Sequence, residues 1–299
     1  MFGEETMAVR AIALCLVAMF LSANALAQTV VRYNAPESNR DPRHEYPLAV
    51  LELALKKTEA TDGPFRLQAV ETNAPGPRLI DILEAGDTFD LLVASTSKER
   101  SDRLLAVNFP LDKGLLGYRV FLIRKEDAPL FAAVKTLDDL MKLSVGQVFS
   151  WADTQILAEA GFNVQRTTGY ANSFSMLQAG RFAGFPRGAN EAYAELESNG
   201  GEASGIMVEP TVALYYPLTR YFYVNKKNTV LADRLMRGLK AAQADGSFDA
   251  LFNSHPQIKS VLDQVHFEKR KIFRIKNPIL PDGVPLDNPA LWFTPASAS

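Results

Sequence analysis

Cysteine is nearly absent from this chain, since Cys15 is the only one among 299 residues. A single cysteine excludes an intramolecular disulfide and a zinc site built from several thiolates. Histidine is also scarce: His44, His255 and His266 show neither the paired spacing nor the acidic neighbours of a transition-metal site. We therefore expect no metal and no other cofactor.

The chain also lacks a charge excess, because 32 Lys and Arg residues stand against 34 Asp and Glu residues, for a formal net charge of −2. This balance argues against nucleic acid as a partner, since phosphate backbones are recognised by a clear excess of basic side chains. The sequence contains neither a G-x-S-x-G turn nor a phosphate-binding glycine loop. Small molecules and other proteins are the partner classes that remain.

Long apolar runs are missing everywhere except near the N-terminus. The run from Ala11 to Leu21 follows Arg10 and precedes small residues that end at Ala27, which is the pattern of a secretory signal with its cleavage site. An uncleaved membrane anchor is the alternative, but the run is short for a span of about 20 apolar residues. We expect cleavage after Ala27, which places the mature chain in the periplasm. We also expect the mature chain to be a monomer.

The signal segment leaves the start of translation open. Two acidic residues close to Met1 are unusual in a signal peptide, and a start at Met7 leaves a conventional basic beginning. Because Cys15 lies inside the signal, the mature chain contains no cysteine. Leu14 before it is larger than the residue that usually precedes a lipid-modified cysteine, so we do not expect a lipid anchor.

The rest of the sequence alternates between strand and helix patterns. Strands are predicted near residues 29–33, 65–71, 89–94, 118–123, 143–148, 163–165 and 218–224, and helices near 46–58, 78–85, 136–141, 154–160, 173–179, 231–244 and 248–254. This alternation predicts an α/β fold with mixed sheets flanked by helices. The apolar strands near Tyr118 and Tyr221 flank the middle of the chain, and we interpret them as two crossings into an inserted lobe, which form a hinge.

The pattern divides the chain into five segments. Residues 1–27 form the signal peptide, 28–117 the first part of lobe 1, 118–220 lobe 2, 221–276 the completion of lobe 1 with C-terminal helices, and 277–299 a proline-rich extended tail. No repeat of fixed period and no low-complexity segment is present.

A hydroxyl-rich turn follows the buried strand at 89–94 and is rich in groups that bind anions. It contains Ser95, Thr96 and Ser97, and Arg100 and Arg103 come next, one helical turn apart. A hydroxyl can cap the following helix, and a guanidinium can hold both oxygens of a carboxylate at once. The segment therefore predicts a carboxylate site. The alternative is a solvated helix face, because acidic residues alternate with the two arginines.

Several segments resemble, in order and spacing, the type II periplasmic solute-binding proteins of amino-acid uptake systems, the extracellular solute-binding protein family 3. They are S-T-S-K-E-R at 95–100, A-V-N-F-P-L at 106–111, L-L-G-Y-R-V-F-L-I-R-K at 115–125, V-K-T-L-D-D-L at 134–140, V-G-Q at 145–147, L-Q-A-G-R-F at 177–182 and L-K-A-A-Q-A-D-G-S-F-D-A-L-F at 239–252. The resemblance covers most of the chain between the signal and His255. It implies a two-lobed type II fold with a two-strand hinge, closure on an amino acid or similar carboxylate, and transient contact with an ABC-type permease.

The resemblance also implies site residues in the first lobe. An arginine after the hydroxyl turn holds the ligand carboxylate in that family, with help from the turn. Arg100 takes this place if the sequences are aligned on S-T-S-K-E-R, and Arg103 if they are aligned on A-V-N-F. Tyr46, near the first β–α loop with His44 and Glu37, is the candidate aromatic over the ligand.

The second lobe departs from the family pattern. The aspartate that usually binds the ligand ammonium is replaced here by Gly188 or Arg187. Asp153 or Glu191 could pair with an amine instead, and Arg187 could meet a second acidic group or lie at the surface. Trp151 could stack on the ligand, with hydroxyls beside it as donors, or pack between helix and sheet.

Two other functions use the same fold. A receptor subunit would report ligand occupancy to a membrane signalling partner, and a dehydratase-type enzyme would use a cleft carboxylic acid such as Glu191, Asp153 or Glu37. We expect a transport protein that is not an enzyme, because the sequence contains no catalytic motif.

Overall fold

The computed structural model describes residues 28–35, 44–72 and 74–295. These residues form twelve β-strands and twelve α-helices, arranged around two sheets. The predicted signal peptide at 1–27 and Glu37 lie outside the described residues. Every strand predicted from the sequence is present, with bounds that differ by a few residues.

The strands are β1 Thr29–Asn34, β2 Phe65–Val70, β3 Leu91–Ser95, β4 Leu105–Val107, β5 Tyr118–Arg124, β6 Val145–Val148, β7 Val164–Thr167, β8 Gly184–Gly188, β9 Ile206–Val208, β10 Val212–Tyr215, β11 Arg220–Val224 and β12 Lys271–Arg274. The helices are α1 Glu45–Lys57, α2 Glu59–Asp62, α3 Gly76–Ala85, α4 Lys98–Arg103, α5 Ala128–Ala132, α6 Leu137–Lys142, α7 Ala152–Glu159, α8 Tyr170–Gln178, α9 Ala189–Ser198, α10 Thr229–Ala244, α11 Ser247–Ser254 and α12 Pro256–Gln264.

The first sheet has the strand order β2-β1-β3-β11-β4. Strands β1, β2 and β3 are parallel, and β11 runs antiparallel to β3 and β4. Helices α1 and α3 make the crossovers that parallel neighbours require. The apolar face of α1, which includes Val50, Leu51 and Leu55, is buried in the same core as Leu235 and Leu239 of α10. This packing closes one face of the sheet.

The second sheet has the order β12-β10-β5-β8-β6-β7, and β9 also pairs with β5. Strands β6, β7 and β8 are parallel to one another, whereas β5 is antiparallel to β8, β9 and β10. Both sheets are therefore mixed, as predicted. A second core contains Phe121, Phe131, Leu140, Ile156 and Leu157.

Two chain segments cross between the sheets and lie side by side. Residues 108–117 lead from β4 to β5, and residues 216–219 lead from β10 back to β11. The amide of Tyr216 donates to the carbonyl of Gly117, and a Cβ at Gly117 would lie 2.3 Å from the Tyr216 carbonyl oxygen. Thr219 Oγ1 donates to Asp112 Oδ1 at 2.6 Å. These contacts form the two-strand hinge that the apolar crossing strands predicted.

The C-terminal part of the chain differs from the expected division. We expected residues 221–276 to complete lobe 1, and α10 does pack on α1. Strand β12, however, pairs in parallel with β10 and extends the second sheet. The prediction is therefore wrong for β12, because the open edge of β10 supplies backbone partners that the sequence pattern does not show. The other segment boundaries stay predictions.

The segment after β12 runs along the side of the hinge. Asn277 Nδ2 donates to the Pro217 carbonyl at 2.7 Å, and the Lys98 amide donates to the Ile279 carbonyl at 3.1 Å. The tail therefore contacts a crossing segment and a helix of the first lobe. Farther along, Trp292 packs against Gly114, where an added Cβ would lie 2.2 Å from its ring.

Candidate ligand-binding cleft

A cavity of about 940 Å³ lies between the two sheets. Its walls come from the carboxyl ends of parallel strands and the residues that follow them. They are Asn34 at the end of β1, Ser95 at the end of β3, residues 148–151 at the end of β6 and beyond, 168–170 after β7, and Arg187 in β8. Ligands bind at this edge of open α/β sheets, because the loops that follow the strands converge there. The cavity is the candidate site.

Arg100 lines this cleft from the short helix α4. Its Nη1 donates to the Ser95 carbonyl at 3.1 Å and to Ser97 Oγ at 3.2 Å. No carboxylate among the described residues forms an ion pair with it. Desolvation lowers the pKa of Arg100, against smaller opposing effects of Tyr223, Glu99 and Asp153. Neutral acceptors thus hold the Arg100 guanidinium in place. An anionic ligand would stabilise its positive charge and compensate for the water that the guanidinium has lost.

The three hydroxyl residues beside Arg100 have different roles. Ser95 lines the cleft and accepts from Arg100 through its carbonyl. Ser97 caps α4, because its Oγ accepts from the Arg100 amide at 3.3 Å. Thr96 is fully buried and its amide donates to the Thr219 carbonyl, so it fixes the turn against the hinge and does not line the cavity. The expected cap is present, but on a helix of only six residues.

Arg103 does not line the cavity, so of the two alternatives left by the sequence only Arg100 is in position. The Arg103 side chain turns towards α3, where Nη2 contacts Asp81 Oδ1 at 2.8 Å and also pairs with Glu84. The hydrogen bonds that Arg103 donates to Glu84 and, to a lesser extent, to Asp81 raise the pKa of Arg103. The acidic face of α3 provides the partners that draw this side chain away from the cleft.

Tyr46 is also outside the cavity lining, contrary to its proposed place over the ligand. Its side chain is 1% exposed, and its ring packs edge-on against His255 and Phe252, with centroids 5.3 Å and 6.2 Å away. Burial raises the pKa of Tyr46 well above its usual value. The start of α1 reaches the cleft through His44, Glu45 and Leu48 instead, because Tyr46 belongs to the buried stripe of the helix.

Arg187 lies on the wall of the second lobe and is almost completely buried, at 2% exposure. Its Nε and Nη2 donate to the two carboxylate oxygens of Glu195 at 2.6 Å and 2.7 Å, and Nη2 lies 2.9 Å from Glu191 Oε2. Burial disfavours the charge, but Glu191 and Glu195 raise the pKa of Arg187 well above its usual value. The surface location considered for this residue is excluded.

Trp151 lies beside Arg187 and also lines the cleft. The guanidinium carbon of Arg187 is 4.4 Å from the centroid of the Trp151 ring, which stacks on Phe185 at an interplanar angle of 13°. Trp151 is half-buried. The sequence left open whether Trp151 packs against the sheet or faces the ligand. In the structure it packs against the sheet and also exposes part of its ring to the cavity.

A second buried ion pair joins the hinge strand β5 to α7. Arg119 Nη2 lies 2.5 Å from Asp153 Oδ1, and the hydroxyl of Tyr216 donates to the same oxygen. Burial works against the charge of Arg119, but Asp153, Tyr216 and Glu191 raise its pKa. Asp153 thus has an arginine and a tyrosine as partners on Oδ1, so its charge is already balanced within the protein before any ligand binds.

Arg220, the first residue of β11, completes the cluster by pairing with Glu191. Arg119, Arg220 and Glu195 are not among the site residues predicted from the sequence. The sequence contained a signal for two of them, since Arg119 and Arg220 lie within the first two residues of the mainly apolar hinge strands, where a charge must find a buried partner. Glu195 gave no such signal, because it follows a helix pattern in which glutamates are common.

Among the described residues, no group of three or more His, Cys, Asp and Glu side chains is arranged to hold a metal ion. In the same part of the chain, no helix is both long enough and apolar enough to cross a membrane.

No protein-family model matches the sequence, and no curated protein matches it. Solved structures do match. An ancestral arginine-binding protein bound to glutamine gives a TM-score of 0.56 at 16% identity, covering 77% of this chain and 98% of the other. The chain has the two-lobed fold of periplasmic binding proteins.

Two further structures show the range of proteins with this fold. One concerns glutathione import in Gram-positive bacteria through GshT and the cystine ABC importer TcyBC of Streptococcus mutans, with a TM-score of 0.57, 14% identity and coverage of 77% of this chain and 95% of the other. The second is a histidine kinase sensor domain similar to periplasmic binding proteins, with a TM-score of 0.53, 16% identity and coverage of 76% and 95%. The predicted periplasmic-binding-protein fold is confirmed.

Proposed function

We propose that this protein is a periplasmic solute-binding protein that captures a small carboxylate-bearing solute between its two lobes and presents it to an ABC-type permease. Arg100 holds the carboxylate, and the second-lobe wall of Trp151, Asp153 and Arg187 completes the site on closure. The ligand leaves unchanged, so the protein is not an enzyme. Ligand binding shifts the population from the open to the closed arrangement of the lobes.

The observation that carries this proposal is the environment of Arg100. Of the four arginines that line the cavity, it is the one without a carboxylate partner among the described residues. It lies at the carboxyl end of β3, beside the hinge, where a ligand can touch both lobes. A bidentate pair with a carboxylate is among the stronger polar contacts in proteins.

The comparisons support the same role. The matching structures include amino-acid-binding proteins and a component linked to an ABC importer, each nearly fully covered by this chain. These proteins share with this chain a two-lobed fold, which can close around a solute. An N-terminal export signal, proposed for residues 1–27, agrees with delivery of the protein to the periplasm.

A thermal-shift screen tests the proposal directly. The mature chain is heated with amino acids, dicarboxylic acids and monocarboxylic acids, and each acid is matched by its neutral amide. A ligand at a hundred times its Kd stabilises the folded state by about 2.7 kcal/mol, which raises Tm by roughly 6 °C for a chain of this size. Acids that raise Tm while their amides do not support the proposal. Equal shifts with acids and amides, or no shift with any acid, contradict it.

A sensory role is the second candidate, because one matching structure is the sensor domain of a histidine kinase. The same closure would then signal occupancy to a membrane receptor and deliver no cargo. Uptake of the identified ligand by cells with and without this chain separates the two roles: loss of uptake supports transport, and unchanged uptake with a lost transcriptional response supports sensing.

A further inference from the structure

We propose that the cleft selects a carboxylate that carries no ammonium group, so that its ligand is an organic anion with an uncharged remainder that includes an apolar or aromatic part. This inference rests on the proposed solute-binding function and adds the class of ligand. It separates this protein from the amino-acid binders whose fold it shares.

The first support is that the buried carboxylates of the second lobe already have cationic partners. Asp153 pairs with Arg119 and accepts from Tyr216. Glu191 contacts Arg187 Nη2 at 2.9 Å and pairs with Arg220. A ligand ammonium needs a carboxylate to replace its hydration, and here each of these carboxylates is already neutralised by an arginine, so an ammonium group would add an unbalanced charge.

Glu195 extends the same pattern. It is fully buried behind Arg187, which donates to both of its oxygens at 2.6 Å and 2.7 Å. Arg187 lines the cavity and Glu195 does not, whereas Glu191 lines the cavity beside Arg187. Arg187 therefore neutralises one carboxylate behind it and one next to it.

The second support comes from Gly188, which follows Arg187 at the end of β8. A Cβ built at this position would lie 2.7 Å from Asn190 Oδ1, 2.8 Å from Leu116 Cδ1 and 3.0 Å from Glu191 Oε2. A side chain at this position would require the ends of these three side chains to move. As packed, the position next to Arg187 is a glycine and contributes no carboxylate.

The acidic residues that line the cleft without an arginine are Glu45 and Glu71, both on the first lobe. Both are exposed to solvent. An exposed carboxylate keeps its hydration, and its pair with a ligand amine contributes little to affinity. These residues do not provide the desolvated partner that selection for an ammonium group requires.

The third support is that apolar side chains form a substantial part of the cavity wall, alongside polar ones. The aliphatic side chains that line the cavity are Leu48, Leu79, Leu92, Leu116, Val93 and Val148, and the aromatic ones are Phe149, Trp151 and Tyr170. Phe149 is 53% exposed, an unusual state for a phenylalanine in a folded protein. An apolar or aromatic ligand body would cover this ring on closure.

Matched ligand pairs test the inference on the mature wild-type protein. Each pair has one carbon skeleton with and without the amine: 3-phenylpropanoate with L-phenylalanine, and 4-methylpentanoate with L-leucine. Every acid that raises Tm in the screen is added with its own amino or desamino counterpart. Calorimetric titration gives Kd for both members. We expect the desamino acid to bind at least about tenfold more tightly, since the amino acid buries a charged donor without an acceptor.

The outcomes separate the inference from the function on which it rests. Tighter binding of the amino acid in the pairs that bind overturns the inference and leaves the proposed solute-binding function intact. Failure of every carboxylate, with or without an amine, overturns both. 2-Phenylethylamine, which keeps the ring and amine of phenylalanine but lacks the carboxylate, should not bind, and its binding also counts against the inference.

An Arg187→Met variant provides an independent check. Removal of this cation leaves Glu191 and Glu195 without their shared partner, so an ammonium group becomes a favourable replacement. We expect the preference for the desamino acid to fall at least about tenfold, or to reverse. Arg274→Met is the control, because Arg274 packs over Tyr215 and does not line the cleft, and it should keep the wild-type preference. If Arg187→Met does not fold, the wild-type pairs alone decide.

Discussion

Arg100→Ala is the sharpest test of the site. In the structure, Nη1 of Arg100 is engaged by the Ser95 carbonyl and Ser97 Oγ, and no described residue accepts from Nε or Nη2. Those two groups form one edge of the guanidinium and can donate to both oxygens of a carboxylate. Two charge-assisted hydrogen bonds of about 1.5 kcal/mol each amount to about 3 kcal/mol, which raises Kd roughly 150-fold when they are lost.

The matched control is Arg103→Ala, which removes the same side chain one helical turn away. Arg103 pairs with Asp81 and Glu84 outside the cavity lining. We expect its Kd to stay within about twofold of wild type, with at most about 1 kcal/mol lost from the free energy of unfolding, because exposed pairs contribute little. Arg100→Lys should keep one of the two hydrogen bonds and weaken binding about tenfold.

Calorimetric titration of the carboxylate that binds the wild-type protein measures these effects, and thermal unfolding without ligand checks the fold. Arg100→Ala should unfold close to the wild-type temperature, because no ion pair in the described structure is lost with it. Binding within about threefold of wild type would refute Arg100 as the anchor. A large loss in Arg103→Ala instead would show that the carboxylate lies on the α3 side of this helix.

The remaining predictions concern the scaffold. Gly238→Ala should destabilise the protein by about 3 kcal/mol in chemical denaturation, because a Cβ would lie 2.0 Å from the backbone oxygen of Ala54; unchanged stability would contradict this close packing. Burial lowers the pKa of His255, whose Nδ1 accepts from the Gln257 amide, so stability should fall as pH drops below about 6.5, and His255→Asn should flatten that dependence. An equally steep pH dependence of stability in the variant would show that another group causes it. Trp292→Ala should cost on the order of 2 kcal/mol, and a Tm equal to wild type would show that the tail does not stabilise the hinge.

The sign of the pH effect at His255 follows from its surroundings. A lowered pKa in the folded state means that the unfolded chain takes up a proton first as the pH falls. The stability that neutral His255 contributes is therefore complete above the pKa of the unfolded chain, near 6.5. It is lost progressively as the pH drops through the lower pKa of the folded state. Protonation also removes the Nδ1 acceptor that caps α12.

Much of the fold could be predicted because buried strands and amphipathic helices leave a periodic pattern. Strands β1, β3 and β5 are short apolar runs bounded by polar or glycine turns, and each was placed within a few residues. Strand β8 was missed because Gly184-Phe185-Pro186-Arg187-Gly188 has the composition of a turn, yet all five residues are buried. Its pairing with β5 and β6 overrides the local preference.

The first-lobe half of the site was also readable from the chain. A buried strand, a hydroxyl turn and an arginine are close in sequence, so the geometry that joins Ser95, Ser97 and Arg100 is local. The sequence could not distinguish Arg100 from Arg103, because both lie on a short helix and the partners that decide between them, Asp81 and Glu84, belong to another helix.

The sequence by itself determined the α/β alternation, the two hinge strands and the arginine next to the hydroxyl turn, because these depend on neighbours a few residues apart. Only the tertiary structure decided that Arg119, Arg187 and Arg220 neutralise Asp153, Glu191 and Glu195 beside the cleft. These six residues come from five elements spread over about a hundred positions. Buried charges need partners, and the tertiary fold decides which residues lie close enough to pair. Such pairs have no fixed spacing in the sequence, so no periodic pattern predicts them.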